Sequence, residues 1–275
     1  MLGQDLVAHL GIRHQVIPLK RSEVDITDSA RLLRAFQEHH PDVAIHAAAF
    51  TAVDECESHP EVAFQVNAEG THNVALACQR LRTPLLYIST DYVFDGEKPE
   101  PYVEDDPPNP LNVYGRSKLQ GERSVLELLS RFWIVRISWL FGPLGKNFVR
   151  AILNQARNGS PLRVVNDQVG APTYTLDVAA KLGEIVTRAA PGIYHVSNQG
   201  YCSWFEFGRE ILRQAGLERV PICPVPTSVL GRPARRPKNS CLANVRLQES
   251  GLGFLPPWQD AVRRYFLRQD PTGAN

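Results

Sequence analysis

A chain of 275 residues that is 43% hydrophobic and 21% charged carries enough apolar material for one large α/β domain, or for a large and a small one. Its net charge of +1 gives no electrostatic case for nucleic acid or an anionic membrane as a partner, and no apolar run reaches the roughly 18–20 residues of a membrane span. The start, Met1-Leu2-Gly3-Gln4-Asp5, lacks the basic-then-apolar order of a signal peptide. Cys56, Cys78, Cys202, Cys223 and Cys241 are odd in number and widely spaced, with no C-x-x-C and no H-x-x-x-H pair. That pattern points to reduced thiols in a cytoplasmic protein, without a disulfide framework or a metal cluster.

Along the first half, short apolar strands alternate with amphipathic helices. Leu2, Leu6, Val7 and Leu10 form a helical stripe, and Gln15 to Leu19 reads as a strand. Ser29 to Glu38 is a predicted helix with Leu32, Leu33 and Phe36 on one face. Asp42 to Ala49 reads as a buried strand running into small residues. Glu61 to Leu81 is a predicted long helix, Leu85 to Ser89 a strand, Asn112 to Leu129 a helix and Phe132 to Ser138 a strand. This alternation predicts an α/β fold with a doubly wound parallel sheet. Ligands then bind beyond the carboxyl ends of the strands, near Ala47–Thr51, Ser89–Asp91 and Ser138–Trp139. The second half is richer in proline and arginine. It carries predicted helices at Phe148–Asn158, Asp177–Ala189, Trp204–Ala215 and Trp258–Arg268, separated by irregular stretches at 159–176 and 216–257; the tail Asp270–Asn275 reads as disordered.

The chemistry concentrates in Val113-Tyr-Gly-Arg-Ser-Lys118. Positions i and i+4 share one face of a helix, so Tyr114 and Lys118 are expected side by side, with Thr90 arriving from the end of the preceding strand. A phenol, an ammonium and a hydroxyl so placed suit proton transfer to a carbonyl oxygen. The cation is expected to favour the phenolate and bring the Tyr114 pKa down toward the working range.

Longer strings surround that motif: Ala47-Ala-Ala-Phe-Thr-Ala-Val-Asp54, Asn67-Ala68, Ser89-Thr-Asp-Tyr-Val-Phe-Asp-Gly96, Pro110 to Glu122, Arg136-Ile-Ser-Trp139, Asn166-Asp-Gln-Val-Gly-Ala-Pro-Thr173 and Arg236-Pro-Lys-Asn-Ser240. In these strings the chain resembles the extended short-chain dehydrogenase/reductase superfamily, and within it the dTDP-4-dehydrorhamnose reductases. The resemblance implies a Rossmann-like dinucleotide-binding domain over 1–145, with 174–195 returning to it, and a smaller C-terminal substrate lobe over 146–275. It implies hydride delivery from a nicotinamide to C4 of a 4-keto nucleotide sugar, with Tyr114 protonating the forming alkoxide. Lys118 would hold the nicotinamide ribose, and Thr90 would bond near the reacting oxygen. Val53, Thr90, Asp91, Tyr92, Trp139 and Arg236 become substrate contacts, with Arg235 beside Arg236 for the diphosphate. Gly3, Asp25, Ile26, Ala49, Phe50 and Thr51 join Tyr114 and Lys118 as cofactor contacts. A homodimer with Mg2+ at its interface is compatible with the resemblance, although no ligand cluster in the sequence points to the metal.

Cofactor preference is read from Leu19-Lys20-Arg21-Ser22. An acidic residue at this place would suit the ribose 2′-OH of NADH; Lys20 and Arg21 favour a 2′-phosphate, hence NADPH over NADH. Members of the family begin with a strand and a G-x-x-G-x-x-G turn that approaches the pyrophosphate. Met1-Leu2-Gly3-Gln4 matches the end of that motif, with Gly3 as its last glycine. The expectation is that the first strand and most of the turn are missing, through a start assigned too late or a shortened chain. Neighbouring strands would then carry unpaired backbone groups at about 1–3 kcal/mol each, and NADPH would bind poorly. A regulatory subunit resembling the β subunit of methionine adenosyltransferase, or another sugar-nucleotide enzyme of the superfamily, is the alternative reading. Tyr92 directly after Asp91, where a dehydratase would carry a second acid, counts against a dehydratase.

Overall fold

The structure, a computed structural model, describes residues 1–159 and 161–269; the tail expected to be disordered lies outside the described residues. Helices α1 (Leu2–Leu10) and α2 (Ser29–His39) precede strand β1 (Ala44–His46). Helices α3 (Val53–Ser58) and α4 (Pro60–Phe64), a π turn (Gln65–Glu69) and α5 (Gly70–Leu81) lead to β2 (Leu85–Thr90), and α6 (Val113–Leu128) leads to β3 (Phe132–Ile137). Then follow β4 (Leu140–Phe141), α7 (Phe148–Arg157), β5 (Leu162–Val165), β6 (Val169–Gly170), β7 (Thr173–Tyr174), α8 (Thr175–Arg188) and β8 (Gly192–His195). The last elements are β9 (Cys202–Ser203), α9 (Trp204–Gln214), β10 (Ile222–Val225), α10 (Val245–Glu249) and α11 (Trp258–Gln269).

The main sheet has the order β1-β2-β3-β8, all parallel. Side chains alternate across it, as the two-residue period of a strand requires. Leu86, Ile88, Trp133, Val135 and Tyr194 pack with α1 and α8 on one face. Leu85, Tyr87 and Ile134 pack with α2 and α5 on the other. Both faces of β2 are therefore covered, which is why all six of its residues are buried and why its sequence is apolar without alternation. Strand β8 pairs with β3, so Gly192–His195 joins the main sheet. A second core, around Val149, Ile152, Phe207, Ile211 and Val262, is built by α7, α9 and α11 with the small sheets.

Four expectations need correction. Gln15–Leu19 is not a strand: Val16 alone packs on the core, while Ile17 and Leu19 are 39% and 43% exposed. A strand needs a neighbour to take up its N–H and C=O groups, and no described strand stands beside this segment. The strand read at 42–49 shortens to β1, and the long helix at 61–81 is interrupted by the π turn. Asn67 lies buried in that turn, and single-turn π segments of this kind cluster at functional sites. Finally, the stretches at 159–176 and 216–257 are partly regular. They contain β5, which pairs in parallel with β10, together with β6, β7 and α10. Each of these strands spans two to four residues, too short for a periodic signal to rise above its surroundings.

Candidate active site

The carboxyl end of β2 delivers Thr90 into the tight turn Asp91–Val93. Its hydroxyl accepts from the Tyr92 N–H at 3.2 Å and donates to Asp91 Oδ1 at 3.0 Å. Helix α6 starts against this turn. Asn112 caps it by accepting from the Gly115 N–H at 2.8 Å, and a Cβ at Gly115 would run into the Tyr92 carbonyl oxygen. Glycine is what lets the helix start lie flat on the turn. That contact seats Tyr114 beside the turn that carries Thr90, with the Tyr92 ring edge-on to its own at 5.9 Å.

One turn further, Lys118 is 2% exposed. Its Nζ donates to the Ile88 carbonyl at 2.7 Å and lies 4.1 Å from the Tyr87 ring centroid. Burial lowers its pKa to about 7, against the opposing pull of Glu122. The expectation that Lys118 depresses the Tyr114 pKa is corrected here. Burial pushes the Tyr114 phenol well above its usual range; Thr90 partly offsets this, while Asp91 and Tyr92 add to it. The reason is geometric: the ammonium is turned onto a carbonyl and a ring face, and desolvation weakens its own charge.

Beneath Lys118, α6 is fastened to the sheet by a buried ion pair. Arg136 Nη2 meets Glu122 Oε2 at 2.7 Å and Arg136 Nε meets Oε1 at 3.0 Å, while the Ser89 hydroxyl donates to Oε1. The neighbouring strand end is clamped by Asn67, which accepts from the Phe50 N–H at 2.8 Å and donates to the Phe50 carbonyl and to Ser117 Oγ, both at 3.0 Å. Phe50 packs with Tyr114 around Cys56, Ala63 and Val113. Ala49, Phe50 and Thr51 are thus fixed next to the Tyr114 face of α6.

The remaining expected cofactor residues lie in the segments that precede β1. Asp25 accepts from the Thr27 N–H and hydroxyl, which hold its carboxyl below the usual range. The Ile26 side chain fills the space over Gly70. Lys20 and Arg21 are exposed, and Arg21 reaches Asp25 at 3.1 Å. Gly3 sits in the first turn of α1 with open space where a Cβ would stand. These features fit a dinucleotide. The first turn of a helix offers unpaired N–H groups to a pyrophosphate, two exposed cations suit a 2′-phosphate, and small residues at a strand end admit a flat ligand. For a metal ion there is no such fit: among the described residues no group of three or more His, Cys, Asp or Glu is placed to hold one.

On the facing side, Val53 opens α3. Trp139 adopts φ +44° and stacks on Trp204 with centroids 3.5 Å apart. A Cβ at Gly170 would strike its ring, so the loop Asn166–Thr173 closes directly on this aromatic pair. Thr173 N–H also donates to the Trp139 carbonyl at 3.1 Å. Arg236, expected at the diphosphate, is engaged elsewhere: Nη1 and Nη2 pair with the two oxygens of Asp54 at 2.7 and 2.8 Å. Arg232 and Arg235 are exposed and form no ion pair among the described residues. Asp91 is 3% exposed, so it stands behind Thr90 rather than open to the cleft.

Sequence reasoning did not assign roles to Asn67, Asp54, Glu122 or Trp204. The first three close or sit inside motif strings, which was the available signal. Trp204 had none beyond its place after Ser203 at a helix start.

A parallel α/β sheet with hydroxyl, phenol and ammonium gathered beyond its carboxyl edge is the architecture of the short-chain dehydrogenases/reductases. Within that class, a family model described as the RmlD substrate binding domain matches residues 1–270, and the chain belongs to that family. It is 41% identical over 273 residues to dTDP-4-dehydrorhamnose reductase of Streptomyces griseus, covering 97% of this chain and 90% of that protein. It is 39% identical over 252 residues to the spore coat polysaccharide biosynthesis protein SpsK of Bacillus subtilis, covering 92% and 88%. The crystal structure of dTDP-4-dehydrorhamnose reductase from Bacillus anthracis in complex with NADP superposes with a TM-score of 0.95 at 39% identity, covering 97% of this chain and 95% of that one. UDP-glucose 4-epimerase of Thermus thermophilus, with a TM-score of 0.84 at 22% identity, shares the fold.

Proposed function

We propose that this protein is an NADPH-dependent reductase of the C4 ketone of dTDP-4-dehydro-L-rhamnose, yielding dTDP-L-rhamnose. The observation that carries the reading is the seating of the Tyr114 end of α6 on the turn that follows Thr90 at the end of β2, with Lys118 one turn away. The relatives' reductase names and the NADP in the B. anthracis structure support it. A nicotinamide supplies the hydride that adds to the ketone carbon. Tyr114 gives its proton to the oxygen, Thr90 hydrogen-bonds beside it, and Lys118 holds the cofactor ribose from below. Val53, Tyr92 and the Trp139 ring bound the sugar, Asp91 acts through Thr90, and Arg235 meets the diphosphate, with Arg236 joining it if released from Asp54. Ala49, Phe50, Thr51, Asp25 and Ile26 line the nucleotide, Gly3 faces its pyrophosphate, and Lys20 and Arg21 favour a 2′-phosphate. No helix among the described residues is long and apolar enough to cross a membrane.

The test is NADPH consumption by the purified chain with dTDP-4-dehydro-L-rhamnose, followed at the nicotinamide absorbance. Tyr114→Phe is expected to lower kcat by about 10²–10⁴-fold while NADPH affinity stays within a few-fold. No turnover by the unaltered protein, despite tight NADPH binding, would return the reading to a non-catalytic binding subunit. Replacing Lys20 and Arg21 by alanine is expected to weaken NADPH about tenfold and leave NADH nearly unaffected, as measured by fluorescence titration. Equal weakening of both cofactors would remove the argument for a 2′-phosphate site.

A further inference from the structure

Helices α7 and α11 of the second core leave a cleft of about 300 Å³ between them, lined by Arg150, Leu153, Asn154, Arg157, Tyr265 and Phe266. None of the residues expected at the ketone, the cofactor or the diphosphate is among them. Arg150, Asn154 and Arg157 are exposed and share one face of α7, since positions i, i+4 and i+7 run along a single stripe of a helix. Arg150 is held in place: its Nη2 donates to the Pro143 carbonyl at 2.9 Å and its Nη1 to the Gly145 carbonyl at 3.5 Å. Tyr265 is 2% exposed. Its hydroxyl makes no hydrogen bond to another described residue, yet it is not among the enclosed polar atoms that lack a partner. The hydroxyl of an otherwise buried ring therefore keeps access to water, which the cleft it lines provides.

The charge around the cleft is uncompensated. Helix α7 carries Arg150 and Arg157 and no acid. Helix α11 carries Arg263, Arg264 and Arg268 against a single acid, Asp260, which Arg263 and Arg264 take up. Neither Arg150 nor Arg157 forms an ion pair among the described residues. In a chain whose net charge is only +1, this is a local excess of cations around a concave site, an arrangement that draws in an anion.

The lining says which anion. A guanidinium offers its N–H donors in a rigid fork and accepts nothing. One fork fills both oxygens of a carboxylate, whereas a phosphoryl group keeps an oxygen for a second fork. Arg150 and Arg157 stand about 10 Å apart along α7 with Asn154 between them, so a phosphoryl group over Asn154 is approached from both sides. The Asn154 amide and the Tyr265 hydroxyl can each donate and accept, which suits the hydroxyls of a sugar. Leu153 and the half-buried Phe266 supply an apolar wall. A volume of about 300 Å³ is at the lower end for small-molecule sites; it suits one phosphorylated sugar ring and is short of a dinucleotide or a nucleotide sugar. We propose that the cleft between α7 and α11 is a binding site for a sugar phosphate, with Arg150 and Arg157 on the phosphoryl group and Asn154 and Tyr265 on the ring hydroxyls.

The test is calorimetric titration of the purified chain with glucose 6-phosphate, in the presence of excess dTDP to fill the expected nucleotide-sugar site. Saturable binding to one site per chain is expected. Glucose should not bind, and inorganic phosphate should bind more weakly than the sugar phosphate. Arg157→Ala should weaken glucose 6-phosphate about tenfold and Tyr265→Phe several-fold, the scale of one hydrogen bond to a charged and to a neutral group. Arg157→Lys should recover only part of the loss, since an ammonium lacks the fork. Arg157 is exposed, so the unfolding midpoint of its variants is expected to match that of the unaltered protein, which separates binding from folding. Binding that disappears when dTDP is present, or that is equal in the unaltered protein and in Arg157→Ala, overturns the proposal. So does the absence of glucose 6-phosphate binding, including the case in which a long polyanion such as heparin still binds, because that result makes the face a charged surface and not a site.

Discussion

At the scale of single residues, the site depends on side chains that are missing as much as on those present. Gly115 has no Cβ to meet the Tyr92 carbonyl, and the position of Tyr114 follows from that contact. Gly115→Ala is expected to push the start of α6 off the turn, costing about 1–3 kcal/mol. It should also lower kcat by about 10²-fold through misplacement of the phenol. Urea unfolding and steady-state kinetics read the two effects separately, and an unchanged kcat would show that the close approach does not position Tyr114. The Glu122–Arg136 pair, 1% and 3% exposed at its side chains, is expected to behave as a buried pair. Glu122→Ala leaves a buried guanidinium unpaired and should cost about 3–5 kcal/mol in urea unfolding. Replacing both partners by methionine should cost less than the single change, since no charge is then stranded. Tyr114, Lys118 and Thr90 were legible in the sequence because helix periodicity and a strand end fix their neighbourhood. The direction of the Tyr114 pKa was not, because it depends on where the Lys118 ammonium points and on how deeply both groups are buried.

At the scale of elements, long apolar segments were readable and short ones were not. The expected strand at 85–89 matches β2, and the expected helix at 112–129 matches α6, each to within a residue. Their patterns are long and both ends are marked: Asn112 supplies a cap, and Ser89-Thr90 a polar strand end. Gln15–Leu19 has an equally good local pattern yet is not a strand, since pairing is a property of the neighbour and not of the segment. Strands β4, β6, β7 and β9 have two residues each and exist only as pairs, β4 with β7 and β6 with β9, between segments distant in the chain. The Trp139–Trp204 stack shows the same dependence. Trp139 comes from the end of β3 and Trp204 from the first turn of α9, where Ser203 and Glu206 form a capping box. Sixty-five positions apart in the chain, the two rings meet only in the fold. Trp204→Ala is expected to loosen the Trp139 ring and raise KM for the nucleotide sugar several-fold. NADPH binding should not change, because Trp204 lies in the small-lobe core, away from the expected cofactor residues. A matching loss of NADPH affinity would place the stack in overall stability instead.

Across the whole molecule, the segment 234–236 is joined to α3 and α6 beside the expected reacting groups, so a structural joint and the proposed substrate site would share residues. Arg236 holds both oxygens of Asp54, and the Ala234 N–H adds a third bond to the same carboxylate at 3.2 Å. Asn112, the cap of α6, donates to the Arg235 carbonyl at 2.8 Å, and the Val113 N–H donates to Glu57 at the same distance. The segment 234–236 is therefore tied both to α3 and to the helix that carries Tyr114. The Arg236 side chain is 8% exposed and that of Asp54 is 38% exposed, so the arginine is the partner that would be left stranded. Asp54→Asn keeps the shape and removes the charge. It is expected to reduce the unfolding free energy by about 1–3 kcal/mol, the usual scale for a hydrogen bond to a charged group. If the pair serves as a joint, KM for the nucleotide sugar rises several-fold while kcat changes less than twofold, because the binding segment is loosened and the Tyr114 contact is not. If the pair instead withholds Arg236 from the diphosphate, Asp54→Asn lowers KM and Arg236→Lys raises it, since an ammonium cannot reproduce the bidentate contact. The geometry of three bonds converging on one carboxylate favours the joint, so the expected result is a higher KM in both variants.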